Sequence, residues 1–206
     1  MTESSSTKGT PARETTGKAL ENEKEIVLQA QAGEMKAFDR LVEAYRNRVY
    51  GVLYNMIGNN EDAADLCQDV FIKAYKSIGS YRHESAFYTW LDRITINTAI
   101  NFIRLRKESN LSLDEFSSDI EENVTFKELR SKESVQKDIQ CEEIKKFLNE
   151  ALQKLSKDHR AVVVLHDIEG LPHQEVAKTL GCTEATARSR LFYAHQELKA
   201  ILAKYL

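Results

Sequence analysis

Apolar residues recur every three to four positions along almost the whole chain from residue 25 to the C-terminus. This spacing is typical of amphipathic helices that bury one face. One long helix is predicted from Phe38 to Met56, a second between the turns at Gly58 and Gly79, and a third over about 86–107. The chain has only two prolines and eight glycines, so few residues interrupt helical segments. We therefore predict an all-α fold.

The helical pattern breaks once in the interior and is missing at the N-terminus. Residues 108–126 contain six acidic side chains and neither lysine nor arginine, with several serines and asparagines. Such a segment favours a flexible linker. We predict a disordered tail (1–22), a first helical domain (23–107), an acidic linker (108–133) and a second helical domain (134–206).

Composition narrows the possible functions. No apolar run approaches the roughly 18 residues of a membrane span, and the N-terminus lacks the apolar core of a secretory signal, so we expect a cytoplasmic protein without membrane insertion. Cys67, Cys141 and Cys182 are far apart, and the five histidines lack metal-ligand spacing. Phosphate-binding loops and nucleophile elbows are also missing. We expect no metal, no cofactor and no enzyme.

Residues 170–198 predict two helices joined by a tight turn. Pro172 suits the first turn of a helix, Gly181 suits the turn, and Thr183 suits the N-cap of the second helix. Facing outward on that second helix are predicted to be Arg188, Ser189, Phe192, Tyr193 and His195. These side chains suit the major groove of DNA. A helical hairpin with a solvated charged face would show the same spacing.

The first domain also carries a segment that suits nucleic acid. Residues 81–107 contain five basic and two acidic side chains, although the whole chain has a net charge of -3. Aromatic rings interleaved with basic residues suit unpaired bases, although Phe87 and Trp90 could equally form a domain core. Polar and basic positions recur along the same helix: Arg93, Asn97, Asn101 and Arg104.

Three segments in this order resemble the bacterial extracytoplasmic-function (ECF) sigma factors of the sigma-70 family. They are residues 65–71, 80–99 and 170–198, and the resemblance extends over nearly everything from Glu25 onward. It implies a subunit that binds core RNA polymerase, recognises the −10 and −35 promoter elements and promotes DNA melting. The two predicted domains then correspond to sigma region 2 and to sigma region 4, a helix-turn-helix.

The resemblance also implies roles for individual residues. Asp65, Gln68, Asp69 and Phe71 are expected to contact the clamp of the largest polymerase subunit. The three polar residues could equally be ordinary solvent-exposed surface side chains. Recognition and melting of the −10 element falls to Ser77, Tyr81, Arg82, Trp90, Arg93, Ile94, Asn97, Thr98 and Asn101. Here Tyr81 would stack on a flipped base and Asn97 would read its edge. Recognition of the −35 element falls to His173, Thr186, Arg188, Ser189, Arg190, Phe192 and Tyr193.

The second domain departs from the family pattern at two places. Residues 185–187 read Ala-Thr-Ala where the family often has Gly-Thr-Val, and residues 193–195 read Tyr-Ala-His where it often has Arg-Ala-Arg. The usual −35 sequence is therefore in doubt, and a smaller salt dependence is expected for this domain.

The resemblance implies further partners and leaves an alternative class of protein. An anti-sigma factor is expected to cover the two domains, and the acidic linker is expected to follow the RNA path of the polymerase, either as a mimic of transcript charge or as a plain tether. A stand-alone helix-turn-helix regulator is the alternative. Such a protein usually dimerises on paired half-sites, and it would need neither the docking helix nor the aromatic segment.

Overall fold

The computed structural model of the chain describes residues 22–113 and 146–203, with side chains described at 22–106 and 146–203. Within these ranges every regular element is a helix, which confirms the predicted all-α class. The predicted tail up to residue 21 and the acidic linker from residue 114 onward lie outside the described residues.

Four helices build the first domain. They are α1 (Glu23–Gln31), α2 (Met35–Ile57), α3 (Asn60–Ser77) and α4 (Phe87–Leu113), with a 3-10 turn at Ile78–Ser80 after α3. Gly58 ends α2 with a φ of 81°, which a residue without Cβ adopts easily. The Asn59 side chain then accepts a hydrogen bond from the backbone N–H of Asp62 at 3.0 Å and caps α3. The turn predicted at residue 58 is therefore confirmed.

Helix α4 continues beyond its predicted end. The sequence pattern ends it at about residue 107, whereas the structure extends it to Leu113. Neither proline nor glycine occurs between Phe87 and Leu113, so nothing in the chain stops the helix where the charge pattern changes. The first six residues assigned to the flexible linker are helical, and that boundary of the linker is corrected.

The described part of the second domain, residues 146–203, contains four more helices. Residues 146–153 are the described part of α5, followed by α6 (Lys157–Val163) with a π-helical turn (Val164–Ile168), α7 (His173–Leu180) and α8 (Glu184–Leu202). Gly181 ends α7 at a φ of 63°, and Thr183 accepts a hydrogen bond from the N–H of Thr186 at 3.1 Å, both as predicted. Pro172 is the N-cap of α7 and so precedes the helix by one residue.

The apolar faces of these helices form the core. In the first domain α2 packs against α1, α3 and α4, and in the second domain α8 packs against α6 and α7. The bulkiest side chains that are almost fully buried include Leu53, Met56, Leu91, Ile96, Leu152 and Leu165. The predicted contacts of α8 with α7 are confirmed at Ala187 and Leu191, which are both buried.

The two domains lie directly against each other, and a buried ion cluster joins them. Arg48 of α2 pairs with Asp92 of α4 at 2.9 Å and with Glu169 of the second domain at 3.3 Å. Burial raises the pKa of Asp92 and of Glu169, and Arg48 opposes the rise in both. Burial alone would lower the pKa of Arg48, but the neighbouring Asp92 and Glu169 raise it, so the guanidinium stays charged.

A second polar contact between the domains caps the end of α2. The buried guanidinium of Arg160 donates to the backbone oxygen of Met56, and the Gln153 amide nitrogen donates to that of Asn55 at 3.2 Å. These carbonyls have no partner within their own helix, and a cation there also suits the helix dipole. A Cβ at Gly58 would come within 2.7 Å of Gln153. We call these contacts and the ion cluster the interdomain seam.

Candidate polymerase and nucleic-acid interfaces

The docking residues expected on α3 lie on one exposed face of that helix, with one exception. Asp65, Gln68 and Asp69 are all exposed. Phe71 was expected among them but is only 9% exposed, because it points into the core of the first domain. In this conformation Phe71 therefore packs in the core instead of presenting its ring to a partner.

The sequence reasoning missed two apolar members of the α3 face. Ile72 and Tyr75 are 52% and 41% exposed, and they follow Gln68 at helical spacing. Their helical spacing is visible in the sequence, but neither residue was assigned to this face from the sequence. The exposed face of α3 thus combines acidic groups with apolar side chains.

One face of α4 gathers most of the residues expected to contact the −10 element. Its exposed members, spaced at three to four residues, are Arg93, Asn97, Asn101 and Arg104. Trp90 and Ile94 are half-buried beside them. Thr98 does not belong to this face, since it is buried and hydrogen-bonded to the Lys73 ammonium at 3.1 Å. The helix offers both amide groups and positive charge to a ligand along one line.

The loop over 78–86 carries Tyr81 in a different role from the one expected. Tyr81 is 8% exposed, and its hydroxyl donates to the backbone oxygen of Ser85 at 2.5 Å. Its ring packs against those of His83, Trp90 and Phe87, with centroids 4.5, 5.4 and 5.7 Å away. Burial raises the pKa of Tyr81. The ring stabilises the loop from inside, so its assignment as an open stacking surface is corrected for this conformation.

Two further −10 candidates flank that loop. Ser77 is half-buried, and its hydroxyl donates to the backbone oxygen of Lys73 one turn back at 2.7 Å. Arg82 is exposed at the tip of the loop. In this conformation the Ser77 hydroxyl is engaged with its own helix, whereas the Arg82 side chain extends into solvent.

The outward face of α8 holds four of the residues expected to read the −35 element. Arg188, Ser189, Phe192 and Tyr193 are all exposed and, with Ala185, line a shallow surface hollow. The two aromatic rings meet edge to face with centroids 5.5 Å apart. An exposed ring pair beside a basic and a hydroxyl side chain can contact thymine methyl groups, guanine edges and phosphates.

The remaining −35 candidates contribute to the second domain itself. Arg190 pairs with Asp158 of α6 at 3.2 Å, and the Thr186 hydroxyl lies 2.8 Å from that of Thr183. His173 stacks on His166 with ring centroids 4.2 Å apart. Desolvation, together with His166 and Arg188, lowers the pKa of His173.

The described residues carry neither a membrane-spanning helix nor a cluster of metal ligands. None of the helices described is long and apolar enough to cross a membrane. Among the described residues, histidine, cysteine and carboxylate side chains form no group of three that could hold a metal. Cys67 is buried, which raises the pKa of its thiol, and Cys182 is half-buried. Cys141 lies outside the described residues.

Comparison with known proteins identifies the family. Sigma-70 region 2 matches residues 41–109, and Sigma-70 region 4 matches residues 148–198. The RNA polymerase sigma-H factor of Pseudomonas aeruginosa is 33% identical over 90% of this chain and 96% of its own length. The ECF RNA polymerase sigma-E factor of Haemophilus influenzae is 34% identical over 84% of this chain and 92% of its own. The chain therefore belongs to the sigma-70 family of RNA polymerase sigma factors, in its ECF group.

A solved structure shares the fold. The sigma factor RpoE of Bartonella quintana, in complex with the anti-sigma factor NepR, superposes with a TM-score of 0.63 at 22% identity. The match covers 82% of this chain and 98% of that one. The arrangement of two helical domains is thus a fold found among sigma factors.

Proposed function

We propose that this sigma factor binds core RNA polymerase through α3, recognises and opens the −10 element through α4 and the 78–86 loop, and recognises the −35 element through α8. The observation that carries the proposal is the polar face of α4, which is exposed from Arg93 to Arg104 while the opposite face is buried in the core. On this proposal the protein works in the cytoplasm with the polymerase, and catalysis belongs to the polymerase.

The α3 face has the composition of a protein-binding surface. Asp65 and Asp69 supply negative charge that can complement a basic partner such as the clamp of the largest subunit. Exposed Ile72 and Tyr75 add apolar area between those charges. Aromatic side chains are enriched in the buried centre of protein interfaces. Charges across the interface set the orientation of the partners and their association rate.

The α4 face has the composition of a surface for an unwound strand. Arg93 and Arg104 can contact phosphates, while Asn97 and Asn101 offer donors and acceptors to base edges. Unstacking a base costs a few kcal/mol, and contacts available only to the separated strand offset that cost. Melting therefore needs no nucleotide hydrolysis by this chain.

The α8 face suits duplex DNA, with fewer cations than the family pattern supplies. Arg188 forms an exposed ion pair with Glu184 at 2.5 Å, and such pairs contribute at most about 1 kcal/mol, so DNA can displace it. His195, at a family arginine position, lies 2.7 Å from Asp167 instead of extending toward a ligand. Aromatic contacts from Phe192 and Tyr193 then carry more of the recognition.

Reading both promoter elements requires the domains to separate. Sites 25 base pairs apart lie roughly 85 Å from each other along duplex DNA, at about 3.4 Å per base pair. In the structure Arg48 contacts Glu169, and Arg160 contacts Met56, across the interdomain seam. The closed arrangement is therefore the one that an anti-sigma factor would hold, and binding to polymerase would break the seam.

A pair of substitutions tests the assignment of the two faces. Asn97→Ala removes an edge-reading amide, and we expect open-complex formation to fall roughly tenfold while core affinity stays within about twofold. Asp69→Ala should weaken core binding and leave opening by the saturated holoenzyme unchanged. Asn47→Ala, at an exposed asparagine of α2, is the matched control. Core affinity is measured by fluorescence anisotropy and opening by permanganate reactivity of promoter thymines.

Two outcomes of this experiment would contradict the proposal. If Asn97→Ala weakened core binding and left opening intact, the assignment of the two faces would be reversed. If the wild-type chain bound duplex DNA tightly by itself and did not bind core polymerase, the stand-alone helix-turn-helix regulator would be favoured instead.

A further inference from the structure

One side chain of α1 fastens the 78–86 loop to the rest of the first domain. The Gln31 amide nitrogen donates to the backbone oxygens of Ile78 at 2.9 Å and Tyr81 at 2.8 Å. Its amide oxygen lies 3.0 Å from Nε2 of His83. These partners are 47 to 52 residues away along the chain. Gln31 therefore joins three points of the loop to the C-terminal end of α1.

The partners of the Gln31 amide determine which of its atoms donate and which accept hydrogen bonds. Both N–H groups of the Gln31 amide are used on carbonyl oxygens, and a reversed amide would place its own oxygen against two acceptors. The Gln31 oxygen must then accept, so His83 carries a proton on Nε2. The cluster has one orientation, and each polar atom of the amide has a partner in the loop.

The loop conformation needs such support. His83 has a φ of +58°, in the left-handed region that residues with a Cβ rarely adopt. The hydrogen bond from His83 to Gln31 and the packing of its ring on Tyr81 hold that conformation. Loss of these contacts would remove two interactions that stabilise the left-handed backbone at residue 83.

The same loop and helix border a pocket of about 210 Å³ that is open to solvent on one side. Glu23, Lys24 and Val27 of α1 line one part of it, and Tyr81, His83 and Ser85 of the loop line another. Because Gln31 ties the loop to α1, it also fixes the separation of these two walls. A change of loop conformation would change the shape of the pocket.

We propose that Gln31 is a positioning residue for promoter recognition, which holds the 78–86 loop in the shape that selects an unstacked base of the −10 element. The inference rests on the proposed function of that loop. Gln31 acts through the loop backbone and His83 rather than on DNA. Its removal should therefore weaken discrimination between bases without weakening the docking of α3 on the polymerase.

The test compares Gln31→Leu with Gln29→Leu in the full chain bound to core polymerase. Gln29 is half-buried on the same helix and is not part of the Gln31 cluster, so it is a matched control. Templates carry each of the four bases at every −10 position, and opening is followed by permanganate reactivity. At the most selective position, Gln31→Leu should reduce discrimination about tenfold. Core affinity should stay within about twofold, and Gln29→Leu should behave like the wild type.

The outcomes separate this inference from the proposed function. Opening with no base preference at −10 in the wild type would overturn the function of the loop itself. Selective opening by the wild type and equally selective opening by a folded Gln31→Leu variant would overturn only the role of Gln31.

If Gln31→Leu does not fold, Gln31→Glu replaces it, since it keeps the volume and places a carboxylate against two carbonyl oxygens. Retained discrimination in that variant would also overturn the inference, and lost discrimination with intact core binding would support it.

Discussion

Replacing Arg48 with methionine should expose the energetic dependence of Asp92 on its partner. The side chain of Asp92 is 1% exposed, and the Arg48 guanidinium reaches both of its carboxylate oxygens, at 2.9 and 3.4 Å. Methionine keeps an apolar side chain near Tyr88, over whose ring the guanidinium lies at 5.1 Å from the centroid. The substitution therefore removes the charge while it preserves much of the packing.

The magnitude follows from the two states open to Asp92. Leaving it charged and unpaired in the interior costs about 3–5 kcal/mol. Protonating it at pH 7 from an ordinary pKa of 3.8 costs about 4 kcal/mol, at about 1.36 kcal/mol per pH unit. We expect Arg48→Met to lower the free energy of unfolding by about 3 kcal/mol at pH 7, a large share of the ~5–15 kcal/mol typical of a domain.

The pH dependence provides a second readout. Burial raises the pKa of Asp92 in the folded chain above its unfolded value, so the folded state keeps this proton to higher pH. The free energy of unfolding then falls as pH rises from the unfolded-state pKa of Asp92 to its folded-state pKa. Without Arg48 the pKa of Asp92 in the folded chain rises further. The pH range over which stability falls therefore becomes wider. The loss caused by Arg48→Met should therefore shrink to about 1.5 kcal/mol at pH 5.

Urea unfolding followed by far-UV circular dichroism measures these losses at both pH values. Arg46→Met, at an exposed arginine on the same helix, should change stability by less than about 0.5 kcal/mol. Adding Asp92→Asn to Arg48→Met should recover part of the loss, because the buried charge is gone. A fall in the free energy of unfolding of less than about 1 kcal/mol at pH 7 would contradict the dependence of Asp92 on Arg48. So would a fall at pH 5 as large as the one at pH 7.

Further substitutions test two glycines with positive φ and one helix cap. Gly58→Ala and Gly170→Ala each force a Cβ into a positive φ, at 81° and 72°, and should each cost about 1–2 kcal/mol. Only Gly58→Ala brings a Cβ against Gln153, so it should lower stability more than Gly170→Ala in thermal unfolding. Equal losses for the two variants would contradict the close approach of Gly58 to Gln153 at the interdomain seam. Thr183→Ala removes the oxygen that accepts from Thr186 and should cost about 1 kcal/mol, whereas Thr183→Ser should cost little and an equal loss would count against capping.

Local signals in the sequence accounted for the helices and most of their ends. Gly58, Gly181 and Thr183 each have a residue type that suits one backbone position, so the turns could be placed before any tertiary contact was known. The end of α4 could not be placed, because a change in charge at residue 108 does not by itself stop a helix. The helix is described as far as Leu113.

Long-range contacts were beyond prediction from the sequence. Arg160 and Met56 are 104 residues apart, and no local pattern links an arginine in one domain to a carbonyl in the other. The same holds for Gln31, whose partners lie 47 to 52 residues away. Tyr81 shows the related limit for the candidate site, since an aromatic residue in a motif can serve the core as well as a ligand.

The most direct test of the central claim is promoter opening by the reconstituted holoenzyme. The purified full chain is mixed with core RNA polymerase, and run-off transcription is measured on a library of genomic fragments. We expect the chain to bind core polymerase and new transcripts to start downstream of shared −10 and −35 sequences. Failure to bind core polymerase, or binding without any new start site, would contradict it.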